Sequence, residues 1–482
     1  MKSLITSALL LLFFLPATAA YDFVVDGIYY KINGNEVTVA KGPNISDVTI
    51  PVTVTHNGTT YPVTAIGENA FNGYTGLKSI HIGDSVAYIG YWAFEGCTGL
   101  TSIDIPNSVI EIGDCAFIDC TGLTSVHLGN SVTLISYLAF CGCTGLTSID
   151  IPNSVTTIKD CVFEDCSGLT SVTIPNSVVE IGGNAFCGCV GLTSINIPNS
   201  VTEIGYGAFS YCEGLTSIVV ESGNPKYDSR NSCNAIIETA NNTLIAGCKN
   251  TIIPGTVTKI YQYAFSGCTG LTCIDIPNSV STIGIYAFSD CTGLTSIAFP
   301  NSLVKIGSGA FICCTGLKSI YISNSVTTIQ DSAFEDCTSL TSVTIPSSVT
   351  FIGYYAFGGC SSLTDVYSYI TDLSSMVSGS NLFRVWLQNG VFDYSGRTLH
   401  VPQGTVDAYQ ADESWYPFFG SIVEIVRGDV NGDNNVNIAD VTATIDIILN
   451  GDSNAAADVN GDGEINIADV TALIDYLLTG TW

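Results

Sequence analysis

Residues 92–108 read WAFEGCTGLTSIDIPNS, and the chain makes this stretch again and again. Phenylalanine keeps time. Phe71, Phe94, Phe117, Phe140, Phe163, Phe186 and Phe209 follow one another at steps of 23 residues. After an interruption the same step resumes at Phe265, Phe288, Phe311, Phe334 and Phe357. Within one unit, Leu100, Ile103 and Ile105 have the spacing of a short strand with its apolar side chains turned inward. Pro106 ends that strand, because it has no N–H to give to a ladder. Val109, Ile112, Ala116 and Phe117 fill the interior from the return leg, while Gly99 and Gly113 permit tight turns.

A fixed period of this length is the signature of a leucine-rich-repeat solenoid. One unit cannot bury its own apolar face, but a stack of units can. The expected fold is therefore a parallel β ladder with short return turns, closed by β-hairpin caps. A small all-α calcium module of EF-hand-like character follows it.

The chain has 482 residues, enough for two or three domains. It starts MKSLITSALLLLFFLPATAA, with a basic residue, an apolar run and small residues before Tyr21. Residues 1–20 thus read as a secretory signal peptide. No cysteine follows the apolar run, which argues against a lipoprotein anchor, and no later run is long enough to span a bilayer. The expectation is a secreted, extracellular or cell-surface protein without a transmembrane segment. Net charge is −29, from 14 Lys+Arg against 43 Asp+Glu. That argues against nucleic acid and against direct adhesion to anionic lipid, since both need a basic patch. The acidic surface suits divalent cations and basic partners, or simply keeps an exported protein soluble.

The chain has 19 cysteines, which in an exported protein would suggest a disulfide framework. Their positions argue otherwise. Cys97, Cys120, Cys143, Cys166, Cys189, Cys212, Cys268, Cys291, Cys314, Cys337 and Cys360 each stand three residues after a beat phenylalanine. A residue locked to the repeat phase is there to pack, so these are expected as a column of free inward-facing thiols. Off-phase Cys233 and Cys248 are the better disulfide candidates.

Residues 21–65 alternate strands with the hairpin signals Asn33-Gly34 and Asn57-Gly58, and residues 48–51 (VTIP) already echo the repeat strand. They form the expected N-terminal β cap. Residues 66–368 are the repeats. A longer unit falls within 219–258, with strand signals at 215–220 and 250–254 and a hairpin tip at Asn241-Asn242. It reads either as a recognition feature or as a tolerated insertion. Residues 369–425 lose the beat but keep strand-like pieces (FRVWLQNG, RTLHVPQG, SIVEIV), and are taken as the C-terminal cap.

Composition then shifts. Arg427 is the last basic residue, and the 55 residues after it hold ten carboxylates. Residues 428–482 contain two near-copies, GDVNGDNNVNIADVTATIDIILNG and ADVNGDGEINIADVTALIDYLLTG. Each has the spacing D-x-N-x-D-x-x-x-N-x-x-D, which places oxygens where a calcium loop needs them. The first loop offers Asp429, Asn431, Asp433, Asn437 and Asp440, with Asn435 through its backbone carbonyl. The second offers Asp458, Asn460, Asp462, Asn466 and Asp469, with Glu464 through its carbonyl. Gly463 takes the sharp turn of the second loop and Asn434 that of the first. Short helices follow, with apolar residues Val441, Ile445, Ile448 and Val470, Ile474, Leu477 expected on one face. Two Ca²⁺ sites are the expectation.

On the exposed concave face of the repeat sheet, one column reads His81, Asp104, His127, Asp150, Thr173, Asn196. Neighbouring rungs lie ~4.8 Å apart, so the first four form a cross-strand ladder of alternating His and Asp. A metal site using His81, Asp104 and His127 is the alternative reading. The neighbouring column is small and polar (Ser79, Ser102, Ser125, Ser148), suited to broad contact with an extended partner. Catalysis finds no foothold: there is no G-x-S-x-G, no H-E-x-x-H and no phosphate loop, and the four histidines lie in separate units.

The unit V-x-x-I-G-x-x-A-F-x-x-C-x-G-L-T-S-I-x-I-P-N-S resembles the BspA-like (Treponema-type) leucine-rich repeats of bacterial surface and secreted proteins, over about residues 48–368. That resemblance implies adhesion to an extracellular protein or glycan. The C-terminal pair resembles a type I dockerin, over about residues 428–480. Dockerins bind a cohesin in a calcium-dependent way, often to assemble polysaccharide-degrading enzymes. In that family loop positions 10 and 11 contact the cohesin. Here they are Ile438-Ala439 and Ile467-Ala468, apolar where clostridial examples often carry Ser-Thr. Identity of the two pairs implies binding in either of two orientations. The expected function is a binding and adhesion protein with a dockerin for attachment. The alternative is a non-catalytic component of a polysaccharide-degrading assembly, and a hydrolase comes last.

Overall fold

The computed structural model describes residues 21–385, 394–430, 435–450, 455–460 and 465–481; the expected signal peptide lies outside them. The fold is a parallel-β solenoid of about 17 turns with few helices. It divides into two compact units, Met1–Leu169 and Thr170–Trp482.

The first unit opens with an antiparallel meander of Phe23–Val25, Ile28–Asn33 and Glu36–Lys41. Asn33-Gly34 turns one hairpin. Asn57-Gly58 turns another, between Thr53–His56 and Thr59–Ile66, with both residues at positive φ as such a turn requires. Thr59–Ile66 then starts a parallel ladder through Tyr88–Ile89, Glu111–Ile112, Leu134–Ile135 and Thr157–Ile158. A second parallel ladder joins Ser102–Asp104, Ser125–His127 and Ser148–Asp150. Both ladders repeat because every turn offers its neighbour the same buried Ile and Val side chains.

The beat phenylalanines stack face to face, with ring centroids 5.1 Å apart for Phe71–Phe94, 5.0 Å for Phe94–Phe117 and 5.1 Å for Phe117–Phe140. The rings of this stack are parallel to within 6°, and the ~4.8 Å rung spacing sets their separation. Beside it runs the thiol column, buried except at half-buried Cys268, and free throughout. In the first unit the Sγ–H donates to the carbonyl of the phenylalanine 26 residues earlier: Cys97 to Phe71, Cys120 to Phe94, Cys143 to Phe117 and Cys166 to Phe140, at 3.1–3.2 Å. The Phe94 and Phe117 carbonyls also accept a backbone N–H from their own turn, so the thiol takes the second lone pair. Cysteine suits the position because it is small, apolar and still a donor. Burial pushes the Cys97 thiol to about 12, which keeps it protonated.

Every turn also holds two residues in the left-handed region, such as Trp92 with Gly96 and Leu138 with Gly142. A leucine there costs ~1–2 kcal/mol relative to residues that tolerate the conformation. Asn69 occupies the equivalent place in an earlier turn. Leu138→Asn is therefore expected to raise stability by about 0.5–1 kcal/mol. Thermal melting checks this; an unchanged or lower midpoint would show that the half-buried leucine's packing outweighs the relief.

In the second unit Ser194–Ile197 pairs with Ser217–Val220, and the longer unit follows as Tyr227–Asp228, Ala235–Glu238 and Thr243–Gly247, paired antiparallel. Its hairpin tip holds Asn241-Asn242, as expected. Residues 250–254 do not form the expected strand; Ile253 stays buried, but the segment is tied by single bonds such as Ile252 N–H to Cys233 O, 3.1 Å. Cys233 and Cys248 are buried and free rather than joined. Their thiols contact the carbonyls of Ala235 and Asn234 instead. From Thr243–Gly247 the ladder resumes in parallel through Lys259–Ile260, Thr282–Ile283, Lys305–Ile306, Thr328–Ile329 and Phe351–Ile352. At the interruption Tyr206, Tyr263 and Tyr286 stack at 6.0 and 5.3 Å. Gly309 leaves room for the last ring, where a Cβ would lie 2.3 Å from it.

The C-terminal closure differs from a hairpin cap. Thr398–Val401 and Ser421–Glu424 continue the parallel ladder from Asp365–Ser368. Phe383 adds one more ring to the stack, 5.4 Å from Phe357. Of the expected strand-like piece FRVWLQNG, residues 386–390 lie outside the described residues. Helix α1 (Val406–Ala411) and buried Tyr409, Trp415, Phe418 and Phe419 then close the end.

Candidate functional site

Two helices organise the C-terminal module: α2 (Ile438–Asn450) and α3 (Ile467–Thr479). Val430, Val441, Ala457, Val459, Val470 and Leu473 form a small core of their own. The Arg427 side chain donates from Nε to the Val459 carbonyl at 2.8 Å, tying the start of the first loop to the second.

Each helix begins in the same way. Asp440 is fully buried; its Oδ1 accepts from Val430 N–H and its Oδ2 from Asn437 N–H, both at 2.8 Å. Asp469 is equally buried and accepts from Asn460 N–H (3.0 Å) and Asn466 N–H (2.9 Å). These bonds hold the position-12 carboxylate against the start of its own loop. Asn437 and Asn466, expected as ligands, use Oδ1 to cap the helices by accepting from Ala439 and Ala468 N–H, each at 2.8 Å. The Asn435 carbonyl accepts from Asn437 Nδ2 at 3.0 Å. Asp429 is buried and Asp458 half-buried. Asn431, Asp433, Asp462 and Glu464 lie outside the described residues, as do Asn434 and Gly463. Among the described residues no group of three His, Cys, Asp or Glu side chains is placed to hold a metal. Buried carboxylates fixed by backbone N–H groups at two matching helix starts, all hard oxygen donors, nonetheless fit a calcium loop and no softer metal.

The helices bury part of the face expected of them. Val441 and Val470 point inward and Ile448 and Leu477 pack against the core, but Ile445 and Ile474 stand 38% and 39% exposed. The inward place at i+3 from each valine goes to Thr444 and Leu473 instead; Thr444 satisfies its hydroxyl on the Asp440 carbonyl, 2.8 Å. The outward face is the informative one. Ile438 and Ile467 are 69% and 71% exposed, and Leu449 and Leu478 are 77% and 78% exposed. Ile438, Ile445 and Leu449 are spaced i, i+7, i+11, and Ile467, Ile474 and Leu478 repeat that spacing, so each helix shows one apolar row to solvent. Ala439 and Ala468 are exposed beside them. Leu449 and Leu478 were not singled out in the sequence, and Ile445 and Ile474 were expected on one face with Val441 and Val470, although the identical placement of all four in both copies was there to be read.

On the repeat sheet, His81, Asp104, His127 and Asp150 are all exposed. The register sets His127 opposite Asp104 and His81 opposite Thr49. The hydrogen-bonded His–carboxylate pair of the structure lies elsewhere: His400 Nε2 sits 3.0 Å from Asp365 Oδ1 and the ring stacks on Tyr367 at 4.2 Å. No helix among the described residues is long and apolar enough to cross a membrane.

The family model for the BspA type leucine rich repeat region matches residues 41–169, 133–242 and 245–364, and that for the dockerin type I domain matches residues 427–478. Among solved structures the chain is similar to a leucine rich cell surface protein from Faecalibacterium prausnitzii A2-165. Identity is 36%, covering 73% of this chain and 96% of that one, with a TM-score of 0.65. It shares its fold with the pneumococcal vaccine antigen PcpA, at 19% identity, 85% and 99% coverage and a TM-score of 0.60. A search of curated proteins finds no match. The chain belongs to the BspA-type leucine-rich repeat family and carries a type I dockerin domain at residues 427–478.

Proposed function

We propose that this is a non-catalytic binding protein of the cell surface or extracellular space. Its solenoid engages an extracellular protein or glycan, and its dockerin attaches it to a cohesin-type partner. The observation that carries the reading is the pair of matching apolar rows on α2 and α3, exposed in a module too small to leave such rows open without use. Two Ca²⁺ ions are assigned to loops of Asp429, Asn431, Asp433, Asn435, Asn437 and Asp440, and of Asp458, Asn460, Asp462, Glu464, Asn466 and Asp469. Bound calcium offsets the mutual repulsion of the loop carboxylates. The buried Asp440 and Asp469 orient each loop on its helix, which sets where the apolar rows face. Asn437 and Asn466 reach a loop cation most simply through water, since their side chains cap the helices.

The partner-binding residues are Ile438, Ala439, Ile467 and Ala468, extended by Ile445, Leu449, Ile474 and Leu478. Because the rows match, either can serve. Ile438→Asp alone is expected to leave affinity within a few-fold of the wild type, while Ile438→Asp with Ile467→Asp should weaken it by about 100-fold. The test is a pull-down from the native surface with the mature chain, with and without calcium, alongside a chain ended at residue 427. Ligand capture that survives the deletion assigns reading to the solenoid. A single variant as defective as the double would show that only one row is used. The second reading, a component of a polysaccharide-degrading assembly, is favoured by the dockerin, and recovery of such enzymes in a calcium-dependent pull-down would establish it.

A further inference from the structure

The first unit carries a file of open aromatic rings along one turn edge. Tyr91 and Trp92 are 42% and 39% exposed, and Tyr137, two turns on, is 50% exposed. Asp114 occupies the turn between. Its carbonyl accepts from Trp92 N–H at 3.1 Å and its Oδ1 from Tyr137 N–H at 3.2 Å, so the residues lie on three successive rungs. A second file runs alongside, with Glu111 paired in register to Tyr88 on one side and Leu134 on the other. Aromatic or apolar, carboxylate, aromatic or apolar is thus written twice, in parallel.

These rings are not used as the tyrosines of the second unit are. There Tyr263 and Tyr286 stack on one another at 5.3 Å and 24°. Here Tyr91 and Trp92 meet edge to face at 6.2 Å and 61° and remain 42% and 39% exposed.

We propose that Tyr91, Trp92, Asp114 and Tyr137, with Glu111 beside them, form a binding strip for an extended neutral polysaccharide; this rests on the binding-protein reading above and names its ligand class. The C–H faces of pyranose rings lie on the open aromatic faces, and the carboxylates between accept from sugar hydroxyls. The strip is linear and repeats at ~4.8 Å per rung, and an extended glycan is a linear partner with a short period, whereas a folded protein has none. Charge narrows the choice: a chain at −29 repels uronate-rich or sulfated polymers.

The test is affinity electrophoresis of the mature full-length chain in gels containing neutral xylan, mannan or β-glucan, with polygalacturonate and polylysine as contrasts. Trp92 fluorescence is followed in parallel. At least one neutral polysaccharide should retard the chain and shift Trp92 emission. Tyr91→Ala, Trp92→Ala and Tyr137→Ala should each weaken that binding by about tenfold, and Trp92→Phe, which keeps a ring, should weaken it less. A triple variant with unchanged circular dichroism that binds as well as the wild type would overturn the strip. No retardation by any neutral polysaccharide, or retention by polylysine alone, would overturn the ligand class. Ligand capture by the chain ended at 427, measured alongside, separates that failure from failure of the binding-protein reading.

Discussion

Arg397→Ala is expected to destabilise the C-terminal turns of the solenoid by about 3–5 kcal/mol, the cost of removing a buried charged donor and orphaning its acceptors. The side chain is 2% exposed. Its Nε donates to the Leu363 carbonyl at 2.9 Å, Nη1 to the Phe383 carbonyl at 2.8 Å, and Nη2 to the Cys360 carbonyl. Its guanidinium also lies 5.2 Å from the Tyr394 ring centroid. Further back, the carbonyls of Phe71, Phe94, Phe117 and Phe140 are each served by a thiol from the following turn. For Phe383 that service comes from Arg397, whose fork reaches carbonyls of two segments at once, 360–363 and Phe383. Burial lowers its pKa, but a guanidinium stays charged under any ordinary condition. Arg397→Lys should recover little, because one ammonium cannot copy the fork geometry. Urea unfolding followed by tryptophan fluorescence reports the effect directly, since Trp415 lies in the same cluster, 5.4 Å from Phe383. A loss below about 1 kcal/mol would show that neighbouring N–H groups or water replace the arginine.

That arginine also marks where reading a repeat from sequence stops working. The phenylalanine stack, the thiol column and the inward strand residues were legible because each turn meets the same surroundings as the last, so one rule serves them all. Phe383 obeys the same physics yet was passed over, because its turn is 26 residues after Phe357 rather than 23. A strict period is blind to a longer loop that returns to the same place. Residues 250–254 failed in the opposite sense. Their pattern is that of a strand, but the antiparallel insertion before them takes up the preceding chain, and Ile253 is buried without a ladder. In the dockerin, loop spacing was plain from carboxylates at fixed intervals. The helix faces were not, because Val441, Ile445 and Ile448 satisfy a helical period whichever side faces inward. The packing of α2 on α3 decides the matter, and it sends Ile445 and Ile474 outward.

Removing calcium should unfold residues 428–480 and leave the solenoid folded. The module has six buried residues in its core, little for a domain of its length, and its ten carboxylates repel one another when nothing neutralises them. Ligand that binds only the folded form stabilises it by RT ln(1 + [L]/Kd), about 2.7 kcal/mol per site at a hundredfold excess over Kd. Two sites then contribute roughly 5 kcal/mol, as much as a small domain's whole stability. At about 4–8 °C per kcal/mol, chelation should lower the module's melting temperature by some tens of degrees. Asp440→Ala and Asp469→Ala each remove a position-12 carboxylate and should weaken one site apiece. Each also strips two backbone N–H groups of their acceptor, so a stability loss should remain in chelator. The first loop should suffer more, because Asn434 fits the sharp turn less well than Gly463. Calorimetry of the full chain, with and without chelator, separates the two transitions. A dockerin transition indifferent to chelator would mean that the carboxylates are surface charge, and the apolar rows would then need another means of being held in place.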